Sequence, residues 1–148
     1  MKTSKIIFDQ ALVIYFGIVI YFFLMQLLGL ETITELRALN FLFVAYGVNA
    51  AIKKNVIENA DSYYFTNLYI GFSTAFFAVL AVAFSLILYI TFINVELITL
   101  MESSSVWGND LTLGMVIFAI LIEGLASSAI CSFIVMQYWK KYKVKSMV

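Results

Sequence analysis

Four long apolar segments dominate this chain, and they constrain its fold more than any other feature. They cover residues 11–30, 36–52, 68–93 and 111–139. Each can cross, or nearly cross, a hydrocarbon core of about 30 Å as a helix. Hydrophobic residues make up 64% of the chain, whereas a soluble domain of this size hides only about two thirds of its surface. Since lipid must cover the rest, we expect an all-α integral membrane bundle of four antiparallel transmembrane helices.

We expect one domain, residues 1–148, whose helices are separated by short polar connections with capping residues. We expect helices at about residues 6–30, 36–54, 66–94 and 110–139. Thr32 and Glu35 fit a capping box at the start of the second helix. Asp61 or Ser62 is the expected N-cap of the third helix, and Asp110 that of the fourth.

The basic residues are segregated along the chain in a way that predicts its orientation. Only Arg37 falls at the start of the second helix. The other eight of the nine basic residues precede the first helix or follow the second and fourth: Lys2, Lys5, Lys53, Lys54, Lys140, Lys141, Lys143 and Lys145. Cytoplasmic flanks of membrane helices carry the excess of Lys and Arg. Both termini are therefore expected in the cytoplasm.

Glu123 is the only charged side chain more than one turn inside any of the four segments. An acid at that depth costs several kcal/mol and usually faces the bundle interior or a water-filled cavity. No cationic side chain lies deep in any segment, so burial favours the protonated acid. The neutral partners expected nearest in depth are Tyr46, Ser85 and Ser127. Three further candidates lie closer to the interfaces: Asn40, Asn49 and Gln26.

Small residues surround Glu123 on the fourth helix. Two rows with a spacing of four run side by side, one of Ala119, Glu123, Ser127 and Cys131, the other of Gly124, Ser128 and Ser132. Together they predict one broad, weakly polar packing face. On the third helix, Gly71 and Ala75 form a small-xxx-small pair. We expect self-association or a stable partner through Gly71 and Ala75 or through Gly124 and Ser128. The candidate polar site, functional or helix-packing, is Glu123, Ser127, Ser128, Asn40 and Asn49.

The sequence offers little for enzyme chemistry. It has no histidine and a single cysteine, Cys131, and it lacks Cys-x-x-Cys, Gly-x-Ser-x-Gly and Gly-rich phosphate-binding motifs. We therefore expect no catalytic residue, no metal, no cofactor and no nucleic-acid partner. Two roles stay open for Glu123: a proton- or cation-coupled site, or a neutral acid that holds helices together.

Three stretches resemble a family of small bacterial inner-membrane proteins classed as a domain of unknown function. They run from Tyr21 to Leu30, from Glu35 to Lys54, and from Gly71 through the rest of the third helix. The resemblance implies four helices and a multi-pass place in the bacterial inner (cytoplasmic) membrane, and it implies no catalytic residue.

These features favour a non-enzymatic membrane protein. We expect a scaffold or accessory subunit of a membrane complex, embedded in the lipid bilayer and associated with further copies of itself or with other membrane subunits. The alternative is a small oligomeric transporter or channel that uses Glu123.

Overall fold

A computed structural model of the protein describes residues 2–30, 36, 38–93, 96, 99 and 112–141. Within these residues it is all-helical. The four helices are α1 (Thr3–Leu27), α2 (Asn40–Glu58), α3 (Tyr64–Phe92) and α4 (Leu113–Trp139).

Three of these helices, α1, α3 and α4, are long and apolar enough to cross a membrane. The chain is therefore a membrane protein by the length and composition of its helices. Although α2 has 19 residues, it does not reach the same apolar composition. Its asparagines and its paired lysines, Lys53 and Lys54, lower its hydropathy.

The ends of the helices follow from local hydrogen bonding. After α1, Gly29 adopts φ +66°, a left-handed conformation that glycine takes at low cost. The Leu30 amide then donates to the Met25 carbonyl at 3.0 Å, and the Gly29 amide donates to Gln26 at 3.1 Å. These bonds satisfy the last carbonyls of the helix, as in a Schellman motif. The helix therefore ends three residues before the predicted residue 30.

The starts of α3 and α4 differ from the predicted caps. Thr112 is the N-cap of α4, and its hydroxyl accepts a 3.3 Å bond from the Met115 amide. Asp61 does not cap α3 directly, since its carboxylate accepts from the amide of Tyr63 at 2.9 Å, the residue before the helix. The predicted capping box at Thr32 and Glu35, and Asp110, lie outside the described residues.

The helices pack in a rhombic arrangement. Helices α2 and α3 contact each other, and α1 and α4 each pack against both of them, whereas α1 and α4 are not a packed pair. The apolar core joins all four helices and comprises Ala11, Ile14, Ile18, Val44, Val48, Ile52, Val56, Ala75, Ala78, Cys131, Met136 and Trp139. The two outer helices therefore each keep one broad face exposed.

Glycines allow the closest approaches between helices. Gly47 of α2 lies against Ile14 of α1, with no room for a side chain. A Cβ at Gly71 of α3 would meet Ile52 at 3.0 Å. Close backbone approach of this kind stabilises helix pairs in a bilayer, where lipid tails compete for apolar contacts.

Candidate functional site

Glu123 lies on the outer surface of the bundle, with its side chain exposed. It is ten residues after the start of α4 and sixteen before its end, which is about 15 Å and 24 Å along the helix axis. Within the part of the chain that the structure describes, no hydrogen bond or ion pair reaches its carboxyl group. The acid therefore faces whatever surrounds the bundle, far from either end of the helix.

Glu123 does not face the interior of the bundle, one of the surroundings expected for an acid at this depth, and the packing of α4 gives the reason. Gly124 sits directly against Val79 of α3, and Ser128 and Ser132 are fully buried. The buried side of α4 is thus centred on the second row of small residues. Because Glu123 lies about 140° around the helix from Ser128, it points away from this contact.

Glu123 has both small and bulky neighbours on the surface. Ala126 is exposed, and Ala119 and Ser127 are half-buried. Ala126 is three residues after the acid, Ala119 four before it and Ser127 four after it, the spacings that place side chains next to each other on a helix. Glu123 therefore has three small neighbours at these spacings, whereas Ile120, three residues before it, and the exposed Ile122 beside it are bulky.

The polar side chains expected to partner Glu123 bond elsewhere. The Ser85 hydroxyl pairs with Tyr15 at 2.7 Å. The amide of Gln26 exchanges two hydrogen bonds with Tyr89, at 2.7 and 3.0 Å. Both pairs join α1 to α3, so these groups hold two neighbouring helices together.

The remaining candidates are also distant from the acid's face. Asn49 of α2 accepts a 2.8 Å bond from the indole nitrogen of Trp139, which ties the end of α4 to α2. Tyr46 is 66% exposed on α2. Asn40 is half-buried at the start of α2, and its buried Oδ1 accepts no hydrogen bond from the residues that the structure describes. The five predicted site residues are therefore not brought together: Ser127 lies beside Glu123, and Ser128, Asn40 and Asn49 do not share its face.

The residues predicted to mediate association lie inside the bundle. Gly71 and Ala75 are buried between α2, α3 and α4, and Gly124 is covered by Val79. The Ser128 hydroxyl donates to the Gly124 carbonyl at 2.6 Å, within its own helix. These positions are occupied by packing within one chain, so they are not free to contact a second one.

A buried cluster of asparagines was not expected from the sequence. Asn55 of α2 donates to Asn67 of α3 at 3.0 Å, and both side chains are almost fully buried. The Asn67 amide also donates to the carbonyls of Asp61 and Tyr63, at 2.8 and 2.9 Å. The cluster fixes the connection between α2 and α3. The sequence does place two asparagines, Asn55 and Asn67, on either side of a short polar loop. Because the second helix is predicted to end at Lys54, Asn55 is not expected to lie on a helix.

Two concavities among the described residues are open apolar grooves rather than enclosed polar sites. One, of about 540 Å³, lies between α1 and α2 and is lined by Val13, Gly17, Tyr21, Leu39, Leu42, Phe43 and Tyr46. The other, of about 320 Å³, lies between α3 and α4 and includes Phe72, Ala129 and Phe133. Neither groove is lined by Glu123.

No family model, no curated protein and no solved structure matches this chain. In the described ranges, no three His, Cys, Asp or Glu side chains converge as metal ligands. The chemistry of the site therefore has to be inferred from Glu123 and the helix face that carries it.

Proposed function

We propose that this protein is a non-enzymatic scaffold or accessory subunit of a complex in the bacterial inner membrane, the membrane that its sequence resemblance implies. The observation that carries the proposal is the exposed carboxyl group of Glu123, far inside a membrane-spanning helix. A carboxyl group in hydrocarbon costs several kcal/mol unless a polar partner is supplied. The described residues of this chain supply no such polar partner, so we expect a neighbouring protein in the membrane to supply it.

The proposed topology is four antiparallel transmembrane helices with both termini in the cytoplasm. Contacts between α1 and α2 support the antiparallel arrangement. Gly17 of α1 lies against Phe43 of α2, and Ile14 of α1 lies against Gly47 of α2. The residue numbers therefore rise along one helix as they fall along the other. The same holds for α3 and α4, where Gly71 lies near Ser132 and Val79 against Gly124.

The proposal includes α2 as a fourth span because it packs against all three apolar helices. Its middle is buried, with Val48, Ala51 and Ile52 fully inside. Lys53 and Lys54 then mark the point where α2 leaves the hydrocarbon, and the last turn extends into the cytoplasm.

The filled interior favours a subunit over a single-chain carrier. Buried hydroxyls there bond within their own helices: Thr74 donates to the Ile70 carbonyl and Ser132 to the Ser128 carbonyl, both at 2.7 Å. The residues between them are apolar and closely packed. Intramembrane transport sites are built from polar groups lining a cavity or a broken helix, whereas these buried hydroxyls are bonded to the backbone of their own unbroken helices.

The second candidate function is a small oligomeric transporter or channel. The position of Glu123 is compatible with it, because several copies arranged around one axis would turn their exposed acids toward a shared centre. Ionisable side chains facing such a centre commonly carry protons or cations.

Two substitutions at Glu123 test the proposal. Glu123→Gln keeps the shape and both hydrogen-bonding functions, so it should preserve assembly. Glu123→Leu should weaken assembly, because the partner's polar group is left unmatched at a cost of about 1–3 kcal/mol. The neighbouring exposed residue provides a matched control, Ile122→Leu, which should change neither property.

The measurements are co-purification from native membranes and proton or cation flux in reconstituted vesicles. The subunit function predicts no flux in the wild type and loss of assembly only in Glu123→Leu. Flux in the wild type that Glu123→Gln removes, with assembly intact, would replace the subunit by the transporter.

A further inference from the structure

The groove between α3 and α4 lies near the end of the bundle where α3 begins and α4 ends. It is lined by Phe65, Leu68, Tyr69, Phe72, Ala129 and Phe133. Phe72 is eight residues after the start of α3, and Ala129 is ten residues before the end of α4, which is about 12 Å and 15 Å along the two helices. The groove therefore lies within a single leaflet, which is about 20 Å thick with its headgroups.

One small residue between two aromatic walls gives the groove its shape. Phe65, Tyr69 and Phe72 follow at intervals of four and three residues, so they share one face of α3. Phe133 forms the opposite wall, and Ala129, one turn before it, leaves the space between the walls unfilled. Phe65, Tyr69 and Phe133 are each more than half exposed, so the groove is open to the outside of the bundle. Because α3 and α4 are long and apolar enough to cross a membrane, the medium at this depth is lipid.

The face of α4 that lines the groove leads to a positive charge. Gln137 follows Phe133 after four residues and Lys140 comes three residues later, so these side chains lie in one row along the helix. The Lys140 ammonium donates a 2.6 Å hydrogen bond to Gln137, which holds the charge on this row. Lys141 is exposed beside it. Within the described residues no carboxylate pairs with Lys140, so its charge is available to an anion.

Tyr69 adds a hydroxyl group to the groove. Its side chain is 64% exposed, and among the described residues none bonds to its hydroxyl. A phenol can donate and accept a hydrogen bond, and tyrosines of membrane helices are enriched at the level of the lipid headgroups. The groove therefore offers apolar walls to an acyl chain, a hydroxyl to the ester groups and a cation to the phosphate.

We propose that this groove binds one phospholipid with a net negative headgroup, its acyl chain between Phe72 and Phe133 and its phosphate beside Lys140. The seven residues from Phe133 to Lys140 span about 10 Å, which separates the headgroup from the chain along the bilayer normal. In the proposed topology this lipid belongs to the cytoplasmic leaflet. The inference does not depend on Glu123, which does not line the groove.

Native mass spectrometry of the purified protein in mixed micelles tests the headgroup preference. Phosphatidylglycerol and phosphatidylcholine with identical acyl chains are offered in equal amounts. The wild type should retain phosphatidylglycerol about fivefold more than phosphatidylcholine, the factor expected for one Lys beside an anionic lipid. Lys140→Gln should bring the two lipids within about twofold of each other, whereas Lys140→Arg should keep the preference, because it keeps the charge.

Ala129→Leu tests the apolar part of the site. Leucine fills the space between the aromatic walls, so retention of both lipids should fall at least threefold while thermal unfolding shows that the protein stays folded. Two exposed residues outside the groove provide controls. Lys53→Gln removes a charge at the same end of the bundle, and Ala126→Leu adds the same volume to α4. Both should match the wild type.

Three results would overturn the site. Equal retention of the two lipids by the wild type would show that the headgroup is not recognised. An equal loss of preference in Lys53→Gln and Lys140→Gln would show only diffuse attraction to the basic end of the bundle. Unchanged retention in Ala129→Leu would place the lipid elsewhere. Glu123→Leu should keep the preference for phosphatidylglycerol, so this experiment succeeds or fails separately from the test of the proposed function.

Discussion

Val79 of α3 packs directly against the backbone of Gly124 in α4, and this contact turns the adjacent Glu123 away from the bundle. The rotation of α4 about its own axis decides whether Glu123 lies inside the bundle or on its surface. Glycine permits the contact because any larger residue would push Val79 aside. The exposed acid is thus a consequence of close packing on the opposite side of its own helix.

Gly124→Ala should destabilise the protein by about 1–2 kcal/mol. A Cβ at this position would lie 3.1 Å from the Cβ of Val79, an atom that no rotation about χ1 can move. The overpacking cost of about 1–3 kcal/mol exceeds the gain of up to about 1 kcal/mol from replacing glycine by alanine in a helix. Thermal unfolding in a single lipid or detergent condition measures the change.

Gly114 provides the control for this prediction, since it lies in the first turn of α4 and, among the described residues, only the Thr112 hydroxyl lies within 4 Å of an added Cβ. Gly114→Ala should be neutral or stabilising. The double variant Gly124→Ala with Val79→Ala should lose less stability than the two single changes together. Additive losses would show that the two residues are not in contact.

The class of fold could be predicted because it depends on composition and segment length alone. Long apolar runs such as residues 68–93 can hardly form anything but buried or membrane-spanning helices. The orientation of Glu123 could not be predicted in the same way. Two neighbouring rows of small residues on α4 look equally suited to packing, and only the position of Val79 on a different helix selects the row of Gly124.

The end of α2 shows a second limit. The paired lysines, Lys53 and Lys54, predict that α2 ends there, but charged side chains end only the stretch that lipid can cover. The helix continues to Glu58, where the side chain of Asn55 meets Asn67. That contact depends on how α3 folds back on α2, which no local pattern reveals.

Asn67→Leu should destabilise the protein by about 1–3 kcal/mol, because its partners are left without hydrogen bonds in a buried place. The side chain bonds to Asn55 and to the carbonyls of Asp61 and Tyr63. Limited proteolysis of the connection between α2 and α3, together with thermal unfolding, measures the effect. Ser62→Ala, at an exposed position in the same connection, should change neither, and equal sensitivity of both variants would argue against the cluster.

The orientation can be measured by thiol labelling of intact cells. Single cysteines at Ser4, Ser62 and Ser146, in a Cys131→Ser background, should resist a membrane-impermeant reagent until the cells are lysed. A cysteine at Ser104, in the predicted outer connection, should react without lysis. The reason is the placement of eight of nine basic residues on the side of the termini. Labelling of Ser146 but not Ser104 in intact cells would reverse the topology.

The central claim, that the Glu123 face of α4 is covered by protein, is tested most directly by the mass of the particle that leaves the native membrane. One chain has a mass of 16.7 kDa. Native mass spectrometry of wild-type protein, released in lipid nanodiscs without detergent, should give a particle of at least two chains. The same measurement on Glu123→Leu should give a larger fraction of single chains, and Ile122→Leu should match the wild type. A wild-type protein that emerges only as a single 16.7 kDa chain, with no partner attached, would contradict the account.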